Sequence, residues 1–318
     1  MNFLGSSTDK RITGSSEFGD AAASDIGFER AINEDRHAVI ESASGTAWFV
    51  LDGMGGVEGG EFAAQLAIDA IRRYVESHEH AEPGVILRGA ISEANGSVVL
   101  RRHNQKFGSM GTTVVALMID DTEVVISHVG DSRAYLVHEH GITQLTVDDT
   151  LVQQMVDAGQ IKPEEALSHP DAHFLTRCLG TQVELDVPLQ QFWREPSDSQ
   201  DSIVLCSDGL YGLVSDQEIA EAVRTRTPED ACQALIDLAN SRGGYDNITL
   251  SIVPLQGVLT DQEPAEWDKV RTARQRQRSK LNRPPLAAKV HAIILMSLGV
   301  VAACATTIVF AIQKSLIS

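Results

Sequence analysis

Cysteine, aromatic side chains and positive charge are all scarce in this sequence of 318 residues. Aromatic residues make up 5%, and the four cysteines form neither a CxxC pair nor a spacing typical of a metal site. This argues against a thiolate zinc site and favours unpaired thiols in a reducing compartment. The N-terminus also has no apolar stretch long enough for a secretory signal, so we expect residues 1–14 to be a flexible leader and residues 1–268 to stay in the cytosol.

Basic residues are outnumbered and unevenly placed. The chain has 26 Lys and Arg against 44 Asp and Glu, a formal net charge of −18. No acidic residue follows Asp268, so residues 1–268 contain 17 basic and 44 acidic side chains, a formal charge of −27. A surface of this sign repels nucleic acid, and we expect no nucleic-acid partner. The excess carboxylates either form a solvated surface or bind divalent cations, and only their positions distinguish the two.

Residues 290–312 form the one long uncharged stretch of the chain. A helix of this length rises about 1.5 Å per residue and is long enough to cross a bilayer core of about 30 Å. The basic segment 257–289 before it favours the cytosolic side and anionic lipid, and a purely solvated linker is the alternative. We therefore expect a basic juxtamembrane linker, a single transmembrane helix at 290–312, a short tail at 313–318 and contact with membrane lipid. A buried globular helix is the alternative.

Between residues 15 and 256, short β-rich runs alternate with amphipathic segments. The runs and their bounding Gly, Asp and Ser residues predict strands at 47–51, 112–119, 123–129, 133–137, 203–206 and 247–253. Apolar periodicity predicts helices at 58–77, 85–100, 149–158, 216–223 and 228–240. The spacings favour hairpins over βαβ crossovers. They predict an α+β domain in which mainly antiparallel sheets are covered by helices.

Four aspartates lie at predicted strand ends. Taken singly, an aspartate next to a glycine is typical of an ordinary turn. Carboxylates that converge from several strand ends, however, repel one another unless a cation or a proton joins them. An oxygen-only ligand set favours magnesium or manganese over zinc. The four residues are Asp52, Asp131, Asp208 and Asp246.

Two divalent ions that share a carboxylate lower the pKa of a water between them and direct it at a bound phosphorus. Hydrolysis would then need no covalent intermediate. An acidic chain that handles phosphate also needs local positive charge. Arg30, followed closely by Asn33, Glu34 and Asp35, offers a planar guanidinium for phosphate oxygens.

Six motifs resemble, in order, those of the type 2C (PPM) metal-dependent serine/threonine protein phosphatases. The resemblance spans nearly all of the chain before the basic segment. Residues 145–180 are, in addition, similar to the flap region of the bacterial branch of the family. The six motifs are SDIGFERAINED at 24–35, DGMGG at 52–56, GTT at 111–113, GDSR at 130–133, SDG at 207–209 and GYDN at 244–247.

The resemblance implies a four-layer αββα sandwich over residues 15–256, with two mainly antiparallel sheets flanked by helices. It implies hydrolysis of phosphoserine and phosphothreonine in proteins, among them a Ser/Thr kinase or its substrates. Together with the uncharged stretch and its basic flank, this predicts activity at the cytosolic face of a bacterial cell membrane. The cofactors would be two Mn²⁺ or Mg²⁺ ions, with a third bound more weakly. In this family pattern, Asp52 would bridge both metals and the Gly53 carbonyl would bind one of them. Asp208 and Asp246 would complete the second site, and Asp35 beside Glu34 would lie near it. Asp131 with Asp208 would form the weaker third site, and Arg30 would bind phosphate.

Met54 departs from the pattern of many eukaryotic members, which have a histidine general acid at this position. A thioether has no proton to donate, so another group must protonate the leaving oxygen. Two other functions are compatible with the same residues. A pseudophosphatase would retain the fold as a membrane-tethered binding or sensor module, and a different two-metal phosphoesterase, such as a nuclease, would share the metal chemistry.

Overall fold

Antiparallel strands dominate the computed structural model, which describes residues 11–14, 16–55, 59–78, 80–102, 109–195, 197 and 200–261. The strands are β1 (Arg11–Gly14), β2 (Ala21–Asp25), β3 (Arg36–Ser42), β4 (Gly45–Leu51), β5 (Gly53–Met54), β6 (Gly111–Thr112), β7 (Val114–Ile119), β8 (Glu123–Val129), β9 (Arg133–His138), β10 (Gly141–Gln144), β11 (Gln190–Glu195), β12 (Ser202–Cys206), β13 (Ile248–Pro254) and β14 (Val258–Thr260). The helices are α1 (Gly59–Ser77), α2 (Pro83–Arg102), α3 (Leu151–Asp157), α4 (Pro163–Ala166), α5 (Asp208–Tyr211), α6 (Asp216–Thr225) and α7 (Pro228–Ser241).

The strands form two six-stranded sheets. One has the order β1-β2-β13-β12-β9-β10 and the other β14-β11-β8-β7-β4-β3, while β5 and β6 pair as a short ribbon. Neighbouring strands pair in the antiparallel sense in both sheets. The predicted preference for hairpins over parallel crossovers is therefore confirmed for the part of the chain that the structure describes.

The two sheets pack against each other through one apolar core. Trp48 and Val50 of β4 belong to the same buried cluster as Ile203 and Leu205 of β12, which lie on the other sheet. Trp48 is fully buried, and its indole N–H donates to Asp20 Oδ2 over 2.8 Å. Pairing the one polar group of this large side chain removes the cost of burying it unsatisfied.

Helices cover both outer faces of the sandwich. α1 and α2 bury alanine, isoleucine and leucine side chains in a second core with β4 and β7, and α6 and α7 form a third with β12 and β13. Local signals fix where the last two begin. Ser215 and Glu218 form a capping box at α6, and the Thr227 side chain accepts from the Asp230 N–H at α7. The predicted αββα order of layers is confirmed.

Two short strands lie outside the predicted domain bounds at residues 15 and 256. Arg11–Gly14, expected within a flexible leader, pairs with β2, and β14 pairs with β11 beyond the predicted boundary at residue 256. These strands have four and three residues, too few to show a hydrophobic period in the sequence. They form because their backbone groups pair with those of a neighbouring strand. The predicted membrane segment 290–312 lies outside the described residues. Among the described residues, none of the helices combines the length and apolar character that a membrane span needs.

Candidate metal centre

Asp52 follows β4, and its backbone is held on both sides. Its N–H donates to Thr113 Oγ1 over 2.9 Å, and its carbonyl accepts from the Thr113 N–H over 2.8 Å and from Thr112 Oγ1 over 2.9 Å. The next residue, Gly53, has no room for a side chain, because a Cβ there would lie 2.2 Å from the Gly60 carbonyl oxygen. The start of α1 can therefore approach this strand end closely.

Asp208 and Asp246 lie together on the neighbouring sheet. Asp208 begins α5 directly after β12, and Asp246 precedes β13, the strand paired with β12. A Cβ on Gly209 would lie 2.1 Å from the Asn247 carbonyl oxygen and 3.5 Å from the Asp246 Cβ. Close backbone packing thus requires glycine at position 209.

Asp35 and Asp131 are almost inaccessible to solvent, with 2% and 6% exposure. Asp35 precedes β3 and accepts from Ser207 Oγ over 2.7 Å. Asp131 follows the turn at Gly130, which has a φ of 108°, and its carbonyl accepts from the Tyr211 hydroxyl over 3.0 Å. The site therefore draws carboxylates from both sheets.

Burial and mutual repulsion raise the pKa values of these carboxyl groups. Burial is the largest cause of the raised pKa of Asp52, followed by the charges of Asp35 and Asp208. Burial likewise raises the pKa of Asp35 to about 7 and that of Asp131 to about 8, and the charge of Asp208 contributes to both. Asp246 has a raised pKa from burial and then from Asp208. The groups thus lie within electrostatic range of one another and need a counter-charge.

Two buried oxygen atoms of this cluster have no partner: Asp35 Oδ1 and Asp208 Oδ1 accept no hydrogen bond. An unpaired buried carboxylate oxygen is costly, and a hard cation is the ligand that an all-oxygen set prefers. As they stand, no three Asp, Glu, His or Cys side chains of the described residues are arranged to hold a metal ion. This does not oppose Mg²⁺ or Mn²⁺, because magnesium commonly takes one or two carboxylates and keeps several waters. The residues present fit such ions.

Arg30 lies beside this cluster on a loop with a sharp turn. Its Nη2 donates to Asp246 Oδ2 over 2.6 Å, and about half of its side chain is exposed. Gly27 has a φ of 77°, and a Cβ there would lie 2.3 Å from the Asp246 carbonyl oxygen. Only glycine fits this approach, which brings Arg30 next to the carboxylates.

Asn247 holds the Arg30 loop in place, a role that sequence reasoning did not assign. Its Oδ1 accepts from the Glu34 N–H over 2.7 Å, and its Nδ2 donates to the carbonyls of Ile26 over 2.9 Å and Ile32 over 3.1 Å. Asparagine is the signal, because its amide supplies a donor and an acceptor where the neighbouring aspartate supplies only acceptors. Glu34 itself points to the start of α1, where its Oε1 accepts from the Gly60 N–H over 3.1 Å.

The segment that resembles a flap is an excursion whose two ends are joined. The Leu151 N–H donates to the Phe174 carbonyl, and the Thr176 N–H donates to the Asp149 carbonyl, both over 2.8 Å. Asp149 also accepts from Arg177 over 3.1 Å and from the Gly130 N–H over 3.0 Å. These bonds connect the base of the flap to the turn that carries Asp131.

His173 of the flap reaches the cluster and was not predicted. Its Nδ1 lies 3.6 Å from Asp208 Oδ2, and its pKa is raised, first through that interaction and then through other nearby carboxylates. The side chain is largely exposed. An isolated histidine in a polar segment has no sequence signal for such a contact, because only the path of the flap brings it to Asp208.

Comparisons with known proteins identify relatives of this chain. A family model described as protein phosphatase 2C matches residues 29–240. Serine/threonine phosphatase stp of Listeria monocytogenes is 36% identical over 236 residues, which cover 72% of this chain and 92% of that protein. The crystal structure of the Mycobacterium tuberculosis serine/threonine phosphatase PstP/Ppp superposes with a TM-score of 0.66 at 36% identity, covering 74% of this chain and 98% of that one. A structure of the PstP catalytic domain in complex with two manganese ions gives a TM-score of 0.64 at 34% identity, with coverage of 74% and 97%.

Proposed function

We propose, since this chain belongs to the protein phosphatase 2C family, that it is a protein-serine/threonine phosphatase with a centre for two Mn²⁺ or Mg²⁺ ions. The observation that carries the proposal is the set of buried carboxylates with two unpartnered oxygens, on Asp35 and Asp208, next to the guanidinium of Arg30. Its relatives are named serine/threonine phosphatases, and one of them binds two manganese ions.

The chain's own residues would divide into ligands and a phosphate clamp. Asp52, the Gly53 carbonyl, Asp208 and Asp246 would hold the two ions, with Asp35 beside them and Asp131 at a weaker third position. When bound, two such ions polarise phosphoryl oxygens and bring the pKa of water towards neutrality. No side-chain nucleophile is then required, and the reaction needs no covalent intermediate.

Arg30 orients the phosphate. In the structure its Nη2 is paired with Asp246, an acceptor that lies within the proposed ligand set. If Asp246 served as a ligand, the Arg30 guanidinium would be available for two phosphate oxygens, the geometry that arginine forms best. Met54, on the short ribbon beside Asp52, has no proton to give to the leaving oxygen, so that proton comes from another group.

The membrane anchor is a separate part of the proposal. The uncharged stretch 290–312 and the basic segment before it support a single span with the catalytic domain at the cytosolic face of a bacterial membrane. Substrates would be phosphoproteins, including a Ser/Thr kinase or its targets. Fractionation of lysed cells tests the anchor. Recovery of the full chain in the soluble fraction without detergent would refute the proposed membrane span.

Peptide hydrolysis tests the activity. The full chain with Mn²⁺ should release phosphate from a phosphothreonine peptide, and Asp208→Asn should reduce the rate at least 100-fold because a ligand to the ions is lost. Asp69→Asn, at an exposed aspartate on α1, is the matched control and should retain the rate. Absence of turnover in the unchanged chain would favour a binding module. Faster cleavage of DNA or RNA than of phosphopeptide would favour a nuclease.

A further inference from the structure

Three large apolar side chains are exposed on the two loops that carry Arg30 and Asp246. Phe28 is 64% exposed, Tyr245 is 56% exposed and Ile32 is 38% exposed. Phe28 and Ile32 lie on the loop that carries Arg30, and Tyr245 adjoins Asp246, the partner of Arg30. Scattered single apolar residues are ordinary on a surface, but these three lie on two joined loops, one of which carries Arg30. We call these three residues the apolar rim.

The two loops of the apolar rim are joined through their backbones. The Phe28 N–H donates to the Gly244 carbonyl over 2.8 Å, and Asn247 holds the carbonyls on either side of Arg30. The Tyr245 ring also folds back over Gly243, where an added Cβ would lie 2.3 Å from a ring carbon. The rim is therefore built on a well-connected backbone, which reduces the entropy lost when a ligand binds.

The exposure of these side chains does not serve the fold. The buried clusters of the two sheets and their helices do not include Phe28, Ile32 or Tyr245. Leaving such side chains in water forgoes the stabilisation that burial would provide. Exposed apolar side chains on the loops that carry a site for a charged group are typical of a binding surface for the rest of the ligand.

A substrate segment bound with its phosphate at Arg30 would meet this surface directly. An extended chain advances about 3.3 Å per residue, so the side chains one or two residues from the phosphorylated position reach about 3–7 Å along the loops. Glu29 is exposed between Phe28 and Arg30, and it disfavours an acidic neighbour at the same place. The fitting neighbour is aliphatic.

We propose that Phe28, Ile32 and Tyr245 form an apolar subsite that binds an aliphatic side chain flanking the phosphorylated serine or threonine of a protein substrate. This inference rests on the proposed phosphatase function and adds a sequence preference to it. The subsite selects among phosphoproteins by binding, so its effect falls on KM more than on kcat.

Phosphothreonine peptides that differ only in the flanking residue test the subsite. Leucine, glycine and glutamate are placed at one or two residues on either side of the phosphothreonine, and the full chain is assayed with Mn²⁺. We expect kcat/KM for the best leucine peptide to exceed that for its glycine counterpart about tenfold, the scale of one apolar group in a pocket. The glutamate peptide should be the poorest.

Two variants and a control assign the preference to the rim. Phe28→Ala and Tyr245→Ala should each reduce the ratio between the leucine and glycine peptides towards one, mainly by raising KM for the leucine peptide. Leu100→Ala, at a side chain 78% exposed on α2, should retain the full ratio. Sedimentation of the unchanged chain and of both rim variants accompanies the kinetics.

The outcomes separate the inference from the function on which it rests. Hydrolysis of all peptides without a leucine preference, or a preference that survives both rim variants, would overturn the subsite and leave the phosphatase intact. No hydrolysis of any peptide would overturn the phosphatase itself. Self-association that is lost in the rim variants while the leucine preference persists would identify the rim as a contact between copies of the chain, and that too would overturn the proposal.

Discussion

Replacement of Asn247 with alanine should disturb Arg30 without removing any proposed metal ligand. The side chain is 4% exposed and makes three hydrogen bonds, to the Glu34 N–H and to the carbonyls of Ile26 and Ile32. The backbone N–H of residue 247, which donates to Asp246 Oδ1 over 2.8 Å, is retained in the variant. The perturbation therefore acts on the loop that carries Arg30.

The expected loss follows from those three bonds. A net hydrogen bond contributes about 1 kcal/mol, and its buried partners cost more when they are left unpaired, so the free energy of unfolding should fall by about 3 kcal/mol. For a domain of this size, 1 kcal/mol corresponds to about 2–4 °C in Tm, which places the decrease at about 6–12 °C. A looser Arg30 should also raise KM for a phosphopeptide about tenfold. Asn247→Asp should be at least as damaging, because a carboxylate would face two carbonyl oxygens.

Thermal unfolding and steady-state kinetics on the same samples provide the test. Asn95→Ala is the matched control. Asn95 is 2% exposed, donates to the Gln182 carbonyl over 2.8 Å and accepts from the Gly180 N–H over 2.9 Å, away from the Arg30 loop. It should reduce Tm by a similar amount with KM unchanged. If Asn247→Ala reduced Tm while KM matched that of the control, Asn247 would not position Arg30 and the reasoning would fail.

Three further predictions concern the turn, the metals and pH. Gly27→Ala should lower the free energy of unfolding by about 1–3 kcal/mol and raise KM for a phosphopeptide, because φ is positive and the added Cβ meets the Asp246 carbonyl. Urea unfolding and steady-state kinetics check this, and an unchanged KM would contradict it. Mn²⁺ at about 100 times its Kd should raise the free energy of unfolding by about 2.7 kcal/mol, seen as a Tm increase of about 5–11 °C. Most of that increase should vanish in Asp208→Asn. An equal Tm increase in both proteins would exclude Asp208 as a ligand. Hydrogen bonds from Arg242 and Ser215 lower the pKa of Glu218 from 4.5 to about 2. Since the folded pKa is the lower one, this contribution to stability is present above pH 4.5 and is lost as the pH falls towards 2, so the urea midpoint should decrease more steeply between pH 5 and 3 in the unchanged chain than in Glu218→Gln. Parallel profiles would show that the pair contributes nothing.

Much of the layered fold was predictable because its central elements have strong local patterns. The segments predicted at 123–129 and 203–206 match Glu123–Val129 and Ser202–Cys206 to within one residue, and both are buried apolar runs that end at glycine or serine. The run predicted as one strand at 112–119 is divided at Thr113, whose hydroxyl and N–H bond to Asp52 instead of continuing a ladder. A local sequence pattern does not indicate a hydrogen-bond partner that is so distant along the chain.

The face of the first long helix shows a similar limit. At helical spacing, Phe62, Leu66, Ala70 and Tyr74 fall on one face of α1, and their apolar character favours burial of that face. The structure buries Ala70 fully, but the other three are only partly buried, while alanine and isoleucine positions such as Ala67 and Ile71 are fully enclosed. Small side chains lie where α1 packs closely against its neighbours, because larger ones would not fit. A prediction from hydrophobicity alone favours the larger residues for the buried face.

The sequence by itself predicted an α+β domain of antiparallel sheets covered by helices, the aspartates at strand ends and Arg30 as a candidate phosphate ligand, because alternating patterns, Asp-Gly turns and motif order are all local properties of the chain. It also determined the family to which those motifs belong. Only the tertiary structure decided that Asn247 holds the Arg30 loop, that His173 reaches Asp208 from the flap, and that Phe28 and Tyr245 lie exposed on joined loops. Each of these contacts joins segments between 35 and about 220 residues apart. The packing of sheets and loops decides such contacts, and the local sequence carries no signal for them.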